Sequence, residues 1–367
     1  LPEPAGLAGF YLFGSVPEPW TQYQEIRSVP AGSFQWIDAN GPQAAVHYFS
    51  IAKVWAEAEQ SVSVAQSDLR EIVREAVLDS VRAHMVADVP VGAFLSAGID
   101  SGALVGLMSS ALSPQSSSLS TITLAFEEFR NTHADEAPLA EAVARRYSTN
   151  HTTRIVNEQE FRDDLPKILA AMDQPSIDGI NTWFVSKAAK EAGLKVAVSG
   201  LGGDELFGGY PSFSDIPKWV KWLRAPSMIP LLGEMFEIGY EAAAGLISAL
   251  SPQPSALGNP KLAGLLRYGG TYAGAYLLRR GLFLPRELPA LMGNEMSREG
   301  RRRLQPLKHI QSQLSPQSSA LSPQSPVLSP YSKIAILESA LYMRNQLLRD
   351  TDWASMAHSL EVRAPLV

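Results

Sequence analysis

The chain has 367 residues, 46% of them hydrophobic and 19% charged, with a formal net charge of −6 at pH 7. That composition can fill the core of one large domain or two ordinary ones, and its acidic balance argues against a nucleic-acid backbone as the main partner. Cysteine is absent, which excludes disulfides, thiolate metal sites and a cysteine nucleophile within these residues.

No apolar run reaches the roughly 20 residues that a membrane-spanning helix needs. The longest, FEIGYEAAAGLISAL at Phe236 to Leu250, carries two glutamates. No basic segment followed by an apolar one opens the chain. A soluble, cytoplasmic protein with no membrane partner is the expectation. The chain starts at Leu1 and stops at RAPLV, which reads as part of something longer.

Residues 1–60 form the first expected region. AGFYLFG, GSFQWID and AAVHYFSI are short aromatic and β-branched stretches between Pro- and Gly-containing turns, a β-type pattern. From residue 61 the pattern changes. SDLREIVREAVLDSVRAHM (Ser67 to Met85) sets Leu69, Ile72, Val73, Ala76, Val77 and Val81 on one helical stripe. Ser67 or Asp68 is placed to cap it, with Glu71 bonding back.

Strands and helices then alternate. Strands are expected at Val89 to Leu95, Thr121 to Phe126, His151 to Val156 and Lys195 to Gly200. Helices are expected at Ser101 to Ser110, Asp135 to Tyr147, Glu158 to Met172 and Thr182 to Gly193. This alternation predicts an α/β fold, a parallel sheet with helices on both faces. Beyond Pro217 the composition is mostly helical. Ser/Pro/Gln-rich repeats near 112–118, 250–256 and 314–331 read as flexible surface insertions, because each copy carries a helix-breaking proline and little apolar surface. The basic run REGRRRLQPLKH (Arg298 to His309) reads as a solvated face.

Three stretches carry candidate chemistry. In VGAFLSAGIDSG (Val91 to Gly102) a strand runs into a helix through Ser96-Ala97-Gly98-Ile99-Asp100-Ser101. Small residues let backbone amides approach an anion, the helix N-terminus adds positive potential, and the two hydroxyls can donate. Asp100 beside a phosphate makes sense if it holds a bridging cation such as Mg²⁺; the plainer alternative is a glycine turn with an Asp cap. The lysine of a GxxxxGK[ST] loop is missing.

VSGLGGDELFGGY (Val198 to Tyr210) repeats the design, with five glycines in 13 residues. Loops at the carboxyl ends of parallel strands can face one crevice, so Asp204 could share a cation with Asp100. Gly208-Gly209 and Glu205 read more simply as a helix end and a first-turn charge. LLRDTDWASMAHSLEVRAP (Leu347 to Pro365) reads as a helix with i,i+4 charge pairs and a packing histidine at His358.

In this order, DVPVGAFLSAGIDS, SGLGGDELFGGY and RDTDWASMAHSLEVRAP closely resemble the asparagine synthetase family of glutamine-dependent amidotransferases. DEAPLAEAVARRY and MDQPSIDG also look like family segments, and EIRSVPAGSFQWID resembles the end of the family's glutaminase domain. The resemblance implies a β-rich glutaminase remnant over 1–60. Residues 61–367 would then form an ATP-pyrophosphatase domain of the PP-loop, adenine nucleotide α-hydrolase-like kind.

It implies Mg-ATP, attack of a substrate carboxylate on the α-phosphate, and displacement of AMP from the acyl-adenylate by glutamine-derived ammonia. Aspartate, giving asparagine, is the first expectation for that carboxylate. A homodimer is an allowed assembly. By resemblance, Ser96, Gly98, Asp100 and Ser101 cradle pyrophosphate, with Asp100, Ser96 and Arg349 as catalytic residues. Asp100 and Asp204 hold Mg²⁺, while Leu95, Leu124, Ser199 and Gly200 line the adenosine site. Arg349 and Glu361 are candidates for keeping the site in shape.

Three departures accompany the resemblance. The N-terminal cysteine nucleophile of the family's glutaminase has no counterpart here. Leu201 stands where asparagine synthetases typically carry an acidic residue. The family's sequence also continues past EVRAP, into a helical region with a pyrophosphate-binding lysine.

Overall fold

The computed structural model of the chain describes residues 1–61, 68–112, 118–250, 260–315 and 328–367. It divides into two units, Ser63–Phe207 with Gln346–Val367, and Leu1–Val62 with Gly208–Asn345.

The first unit is built on a five-stranded parallel sheet. Its order is Asn150–Val156, Ser120–Phe126, Val91–Phe94, Val196–Val198, Glu361–Arg363. Successive side chains on a strand point to opposite faces, and both faces are covered. Ala93, Leu95 and Val198 pack with Val81, Val105, Met108, Ala140 and Ala144 from the helices Leu69–His84, Ile99–Ala111 and Ala137–Arg146. Ala197 and Ile122 face the other way, onto Ala188 and Ala189 of helix Ile180–Glu191. That second layer extends through Trp183, Phe184, Ile168 and Trp353. Small residues on the central strands and alanines on the covering helices bring the layers close together.

The four strands and four helices expected between Val89 and Glu191 plus Lys195–Gly200 are all present, with ends shifted by a few residues. The fifth strand, Glu361–Arg363, was expected as helix; only Arg349–Met356 is α-helical in that stretch. At the start of helix Leu69–His84 the described residues form no capping box. Asp68 makes no side-chain cap bond, Glu71 pairs instead with Arg74 at 2.7 Å, and Ser67 lies outside the described residues. Of its apolar stripe Val81 is buried, while Leu69, Ile72 and Val73 are exposed.

The second unit is mainly helical. AGFYLFG, expected as β-structure, lies in and at the end of helix Pro4–Phe13. Glu3 caps it by accepting from Ala5 N at 3.2 Å, Pro4 opens it, and Gly14 closes it at φ +78°. Proline at the first position and left-handed glycine past the end favour a helix. Its small face receives helix Asn294–Leu304 so closely that a Cβ on Gly300 would lie 2.4 Å from the Pro4 carbonyl.

Of the expected N-terminal β-structure there remain two antiparallel pairs, Ser33–Phe34 with Val46–His47 and Ile37–Asp38 with Gly41–Pro42. The main core joins Ala52 and Ala56 to Tyr276, Leu277, Ile334 and Leu337. The stretches 113–117, 251–259 and 316–327 of the Ser/Pro/Gln repeats lie outside the described residues. The last copy runs into a helix. Leu328 is buried, and Ser329 caps helix Pro330–Leu337 by accepting from Ser332 N at 3.1 Å.

The basic run is solvated as expected at Arg301, Arg302 and Arg303, with Arg302 and Arg303 both paired to Glu299. No described helix is long and apolar enough to cross a membrane.

Candidate active site

The strand Val91–Phe94 is where the sheet changes direction. From it the chain passes to Ser120–Phe126 on one side and later returns to Val196–Val198 on the other. In open parallel sheets the crevice at such a point, beyond the carboxyl ends of the strands, is where ligands bind. The loop after each of these two central strands is one of the two glycine-containing stretches singled out above.

The first loop is held by its own hydroxyls. Ser101 Oγ lies 3.0 Å from Ser96 Oγ, accepts from Ser96 N at 3.2 Å, and reaches the carbonyls of Ser96 and Gly98 at 3.3 and 3.2 Å. Ser96 Oγ accepts from Gly98 N at 3.1 Å. Upstream, Leu95 is buried; its N–H donates to the Ile122 carbonyl at 2.9 Å and its carbonyl accepts from Thr123 Oγ1 at 2.5 Å. Gly98 is the N-cap of helix Ile99–Ala111, in extended conformation and with no side-chain cap bond. Asp100 therefore is not the cap, and the first-turn amides keep the anion-facing potential of an N-terminus.

The second loop packs against the first. A Cβ on Gly200 would lie 3.0 Å from Ser101 N, and one on Gly203 would lie 2.2 Å from Asp100 Oδ2. Gly202 adopts φ +97°, a region side-chain-bearing residues avoid, and a Cβ there would meet the Leu366 carbonyl at 2.3 Å. Gly200 and Gly202 thus let one backbone approach another, and Gly203 makes room for the Asp100 carboxylate. Ser199 N donates to the Arg363 carbonyl at 2.8 Å, which ties this loop to the edge strand. Gly208, at φ +75°, ends the short helix Gly203–Phe207 and Glu205 lies in its first turn, both as expected; Glu205 is in addition buried.

Burial first, and then the negative charge of Asp204, raise the Asp100 carboxyl above the usual aspartate range. Two carboxylates beside an anion-type loop are a donor set suited to Mg²⁺, which takes one or two carboxylates and completes its shell with phosphate oxygens and water. Among the described residues no cluster of three or more acidic or histidine side chains offers an all-protein metal cage.

The structure thus brings together Ser96, Gly98, Asp100, Ser101, Gly200 and Asp204. Leu124 lies on the adjacent strand, beyond the residues paired with Val91–Phe94, and is half-buried. Leu201 is half-buried in the turn. Arg349 opens helix Arg349–Met356, where its charge opposes the upward shift of Asp350. Glu361 is exposed, in register with Val196 and so at the opposite end of that strand from Ser199; it pairs with Arg363 at 2.7 Å.

His358 is a packing histidine, 4.4 Å from the Trp183 ring, although its Nε2 has no hydrogen-bond partner among the described residues. The i,i+4 charge pairs expected here give way to a buried carboxylate. Asp350 accepts from Ser176 Oγ at 2.7 Å and Trp353 Nε1 at 2.9 Å, and burial pushes its carboxyl up to about 6. Sequence reasoning also missed Thr123, which anchors Leu95, and Glu136, whose carboxylate lies 3.5 Å from Ala97 N. Nothing in their local sequence marks either.

Strand order, loop pair and glycine contacts define a PP-loop, adenine nucleotide α-hydrolase type of domain. A family profile described as asparagine synthase matches residues 72–367, and the chain belongs to that family. It is 29% identical over 365 residues to asparagine synthetase [glutamine-hydrolyzing] 1 of Bacillus subtilis, covering 98% of this chain and 51% of the relative. A putative asparagine synthetase [glutamine-hydrolyzing] of Mycobacterium bovis is 35% identical over 203 residues, 54% of this chain and 29% of that protein. A Methanocaldococcus jannaschii relative described in the same words, number 2, is 30% identical over 203 residues, 55% and 37% of the two chains. The chain spans about half the length of the Bacillus relative and less of the others.

Proposed function

We propose that this chain carries the amide-forming half of an ATP-dependent ligase. It would adenylate a carboxylate, release pyrophosphate, and let ammonia displace AMP to give the amide. The observation that carries this reading is the Asp100 carboxylate pressed on Gly203 beside Asp204, at the sheet's change of direction.

Ser96, Gly98 and Ser101 would bind the β,γ-phosphates through hydroxyls and first-turn amides. Leu95, Leu124, Ser199 and Gly200 would flank the adenosine, and Arg349 would add positive charge. Asp100 and Asp204 would hold Mg²⁺, which when bound neutralises charge on the leaving pyrophosphate. The substrate carboxylate oxygen attacks the α-phosphorus as the bond to the β-phosphate oxygen breaks. Ammonia then attacks the acyl carbon, AMP leaves, and a proton is released.

Aspartate as substrate, glutamine as the source of ammonia, a homodimer and a cytoplasmic location belong to this reading. Leu201 favours a second one, a related ligase for a different carboxylate, because an isobutyl group cannot transfer a proton or hold an ammonium. Exchange of radiolabelled pyrophosphate into ATP tests both. Exchange that depends on aspartate supports the first, and exchange that depends on another acid supports the second. ATP binding with no exchange for any carboxylate reduces the chain to a nucleotide-binding homologue.

A further inference from the structure

The helical unit contains a cavity of about 210 Å³, lined by Glu18, His47, His309, Ser312, Gln313 and Arg344 among others. Arg344 enters it from Glu338–Leu348, a π-helical stretch; such widened turns are rare and tend to occur at functional positions. The guanidinium is under-bonded. Among the described residues its Nε, 3.5 Å from Glu18 Oε2, is buried without a hydrogen-bond partner, and its Nη2 donates a long 3.4 Å bond to Gln313 Oε1. Burial outweighs the attraction of Glu18 and pulls the guanidinium below its ordinary pKa. Beside it, His309 Nε2 is also buried with no hydrogen-bond partner among the described residues. Burial and the Arg344 charge push that imidazole down to about 4, so it is neutral near pH 7.

One cation, one carboxylate and a neutral imidazole around a small cavity match a ligand that carries both charges. A simple anion would meet Arg344 but be repelled by Glu18, and a simple cation would suffer the reverse. The cavity is smaller than the roughly 300–1,000 Å³ of ordinary cofactor and drug pockets. Ser312, Gln313 and His47 add polar groups on the wall. We propose that this cavity binds a small free α-amino acid with a polar side chain, its carboxylate on Arg344 and its ammonium on Glu18. The site shares no residue with the loops of the sheet-containing unit and does not depend on the function proposed for them.

The test is titration of the chain with aspartate, asparagine, glutamine and alanine, with acetate and methylamine as single-charge controls. Calorimetry and the imidazole NMR signals of His47 and His309 are the readouts. An amino acid should shift both histidines, and each control should bind roughly tenfold more weakly or worse. Glu18→Gln should weaken amino-acid binding by roughly tenfold or more, as should Arg344→Gln. If Arg344→Gln does not fold, Glu18→Gln carries the charge test, with its melting temperature as the folding control. An Asp100→Asn/Asp204→Asn double variant should keep the histidine shifts, which separates this site from the proposed adenylating one. The proposal fails if no amino acid shifts the histidines at tens of millimolar, if acetate binds as well as the amino acids, or if Glu18→Gln binds them unchanged.

Discussion

Asp100 and Gly203 face each other so closely that any side chain on Gly203 would occupy the space of the Asp100 carboxylate. The carboxylate is thereby held beside Asp204, and its proton affinity rises accordingly. A short acidic side chain can swing aside at small cost, so displacing it should leave the fold nearly intact while altering the site.

Gly203→Ala is therefore expected to change unfolding free energy by about 1 kcal/mol or less, well under typical core overpacking, and to weaken Mg-ATP binding by roughly tenfold or more. Urea unfolding and calorimetric titration read the two effects separately. Unchanged ATP binding would count against Asp100 as a site residue.

Asp204→Asn removes the like charge. The Asp100 pKa should fall toward the ordinary aspartate value, and Mg²⁺ should no longer enhance ATP binding. Because the raised carboxyl of Asp100 disfavours its ionised form in the fold, the variant should be more stable than the parent near pH 7 without metal. Equal Mg²⁺ enhancement in parent and variant would place the cation elsewhere.

Asp350 provides a pH test. Its carboxyl titrates at about 6 in the fold and near 3.9 when unfolded. The folded state holds the proton more tightly, so the stabilisation is present at low pH and is lost as pH rises from about 4 to about 6. The difference amounts to about 3 kcal/mol. Asp350→Asn should be flatter over that window, so that parent minus variant stability declines by about this amount. A pH-independent difference would show that the Asp350 carboxyl has the same pKa folded and unfolded.

Leu201→Glu should raise aspartate-dependent pyrophosphate exchange if aspartate is the carboxylate and Leu201 the limiting departure. If exchange with another acid falls in the variant while aspartate gains nothing, Leu201 belongs to the pocket for that other substrate.

In the helical unit, Glu338 is fully buried. It accepts from Ser212 Oγ and from Arg280 Nε, the latter at 2.9 Å to Oε2 and 3.1 Å to Oε1. The guanidinium lies between the Tyr210 and Tyr342 rings at 4.2 and 3.9 Å. Glu338→Gln leaves that cation uncompensated, and a loss of about 3 kcal/mol is expected, read as a lower denaturant midpoint. A loss under about 0.5 kcal/mol would mean that stacking on the tyrosines alone suffices.

The parts of the fold legible in sequence were those written in local pattern. Alternating β-branched and helical segments from Val89 to Val198 located four of the five strands, and the two glycine stretches located the loops that meet. The strand Glu361–Arg363 was not legible, since three residues in a charged run become a strand only by pairing with Val196–Val198, about 160 residues earlier. Ala8–Gly14 misled through its aromatics, whereas Glu3, Pro4 and Gly14 set the local conformation. Asp350 read as one of a set of i,i+4 charge pairs because its partner Ser176 is distant in sequence. Glu136 and Thr123 gave no signal for the same reason.

The order of the sheet also bears on how the site comes into being. The two facing loops follow strands about 100 residues apart in the chain, Val91–Phe94 and Val196–Val198. Closing so long a loop must precede any reward from their pairing. Amides of Val91–Phe94 and Val196–Val198 should therefore acquire hydrogen-exchange protection together, and the capacity to bind nucleotide should appear only at that step of refolding.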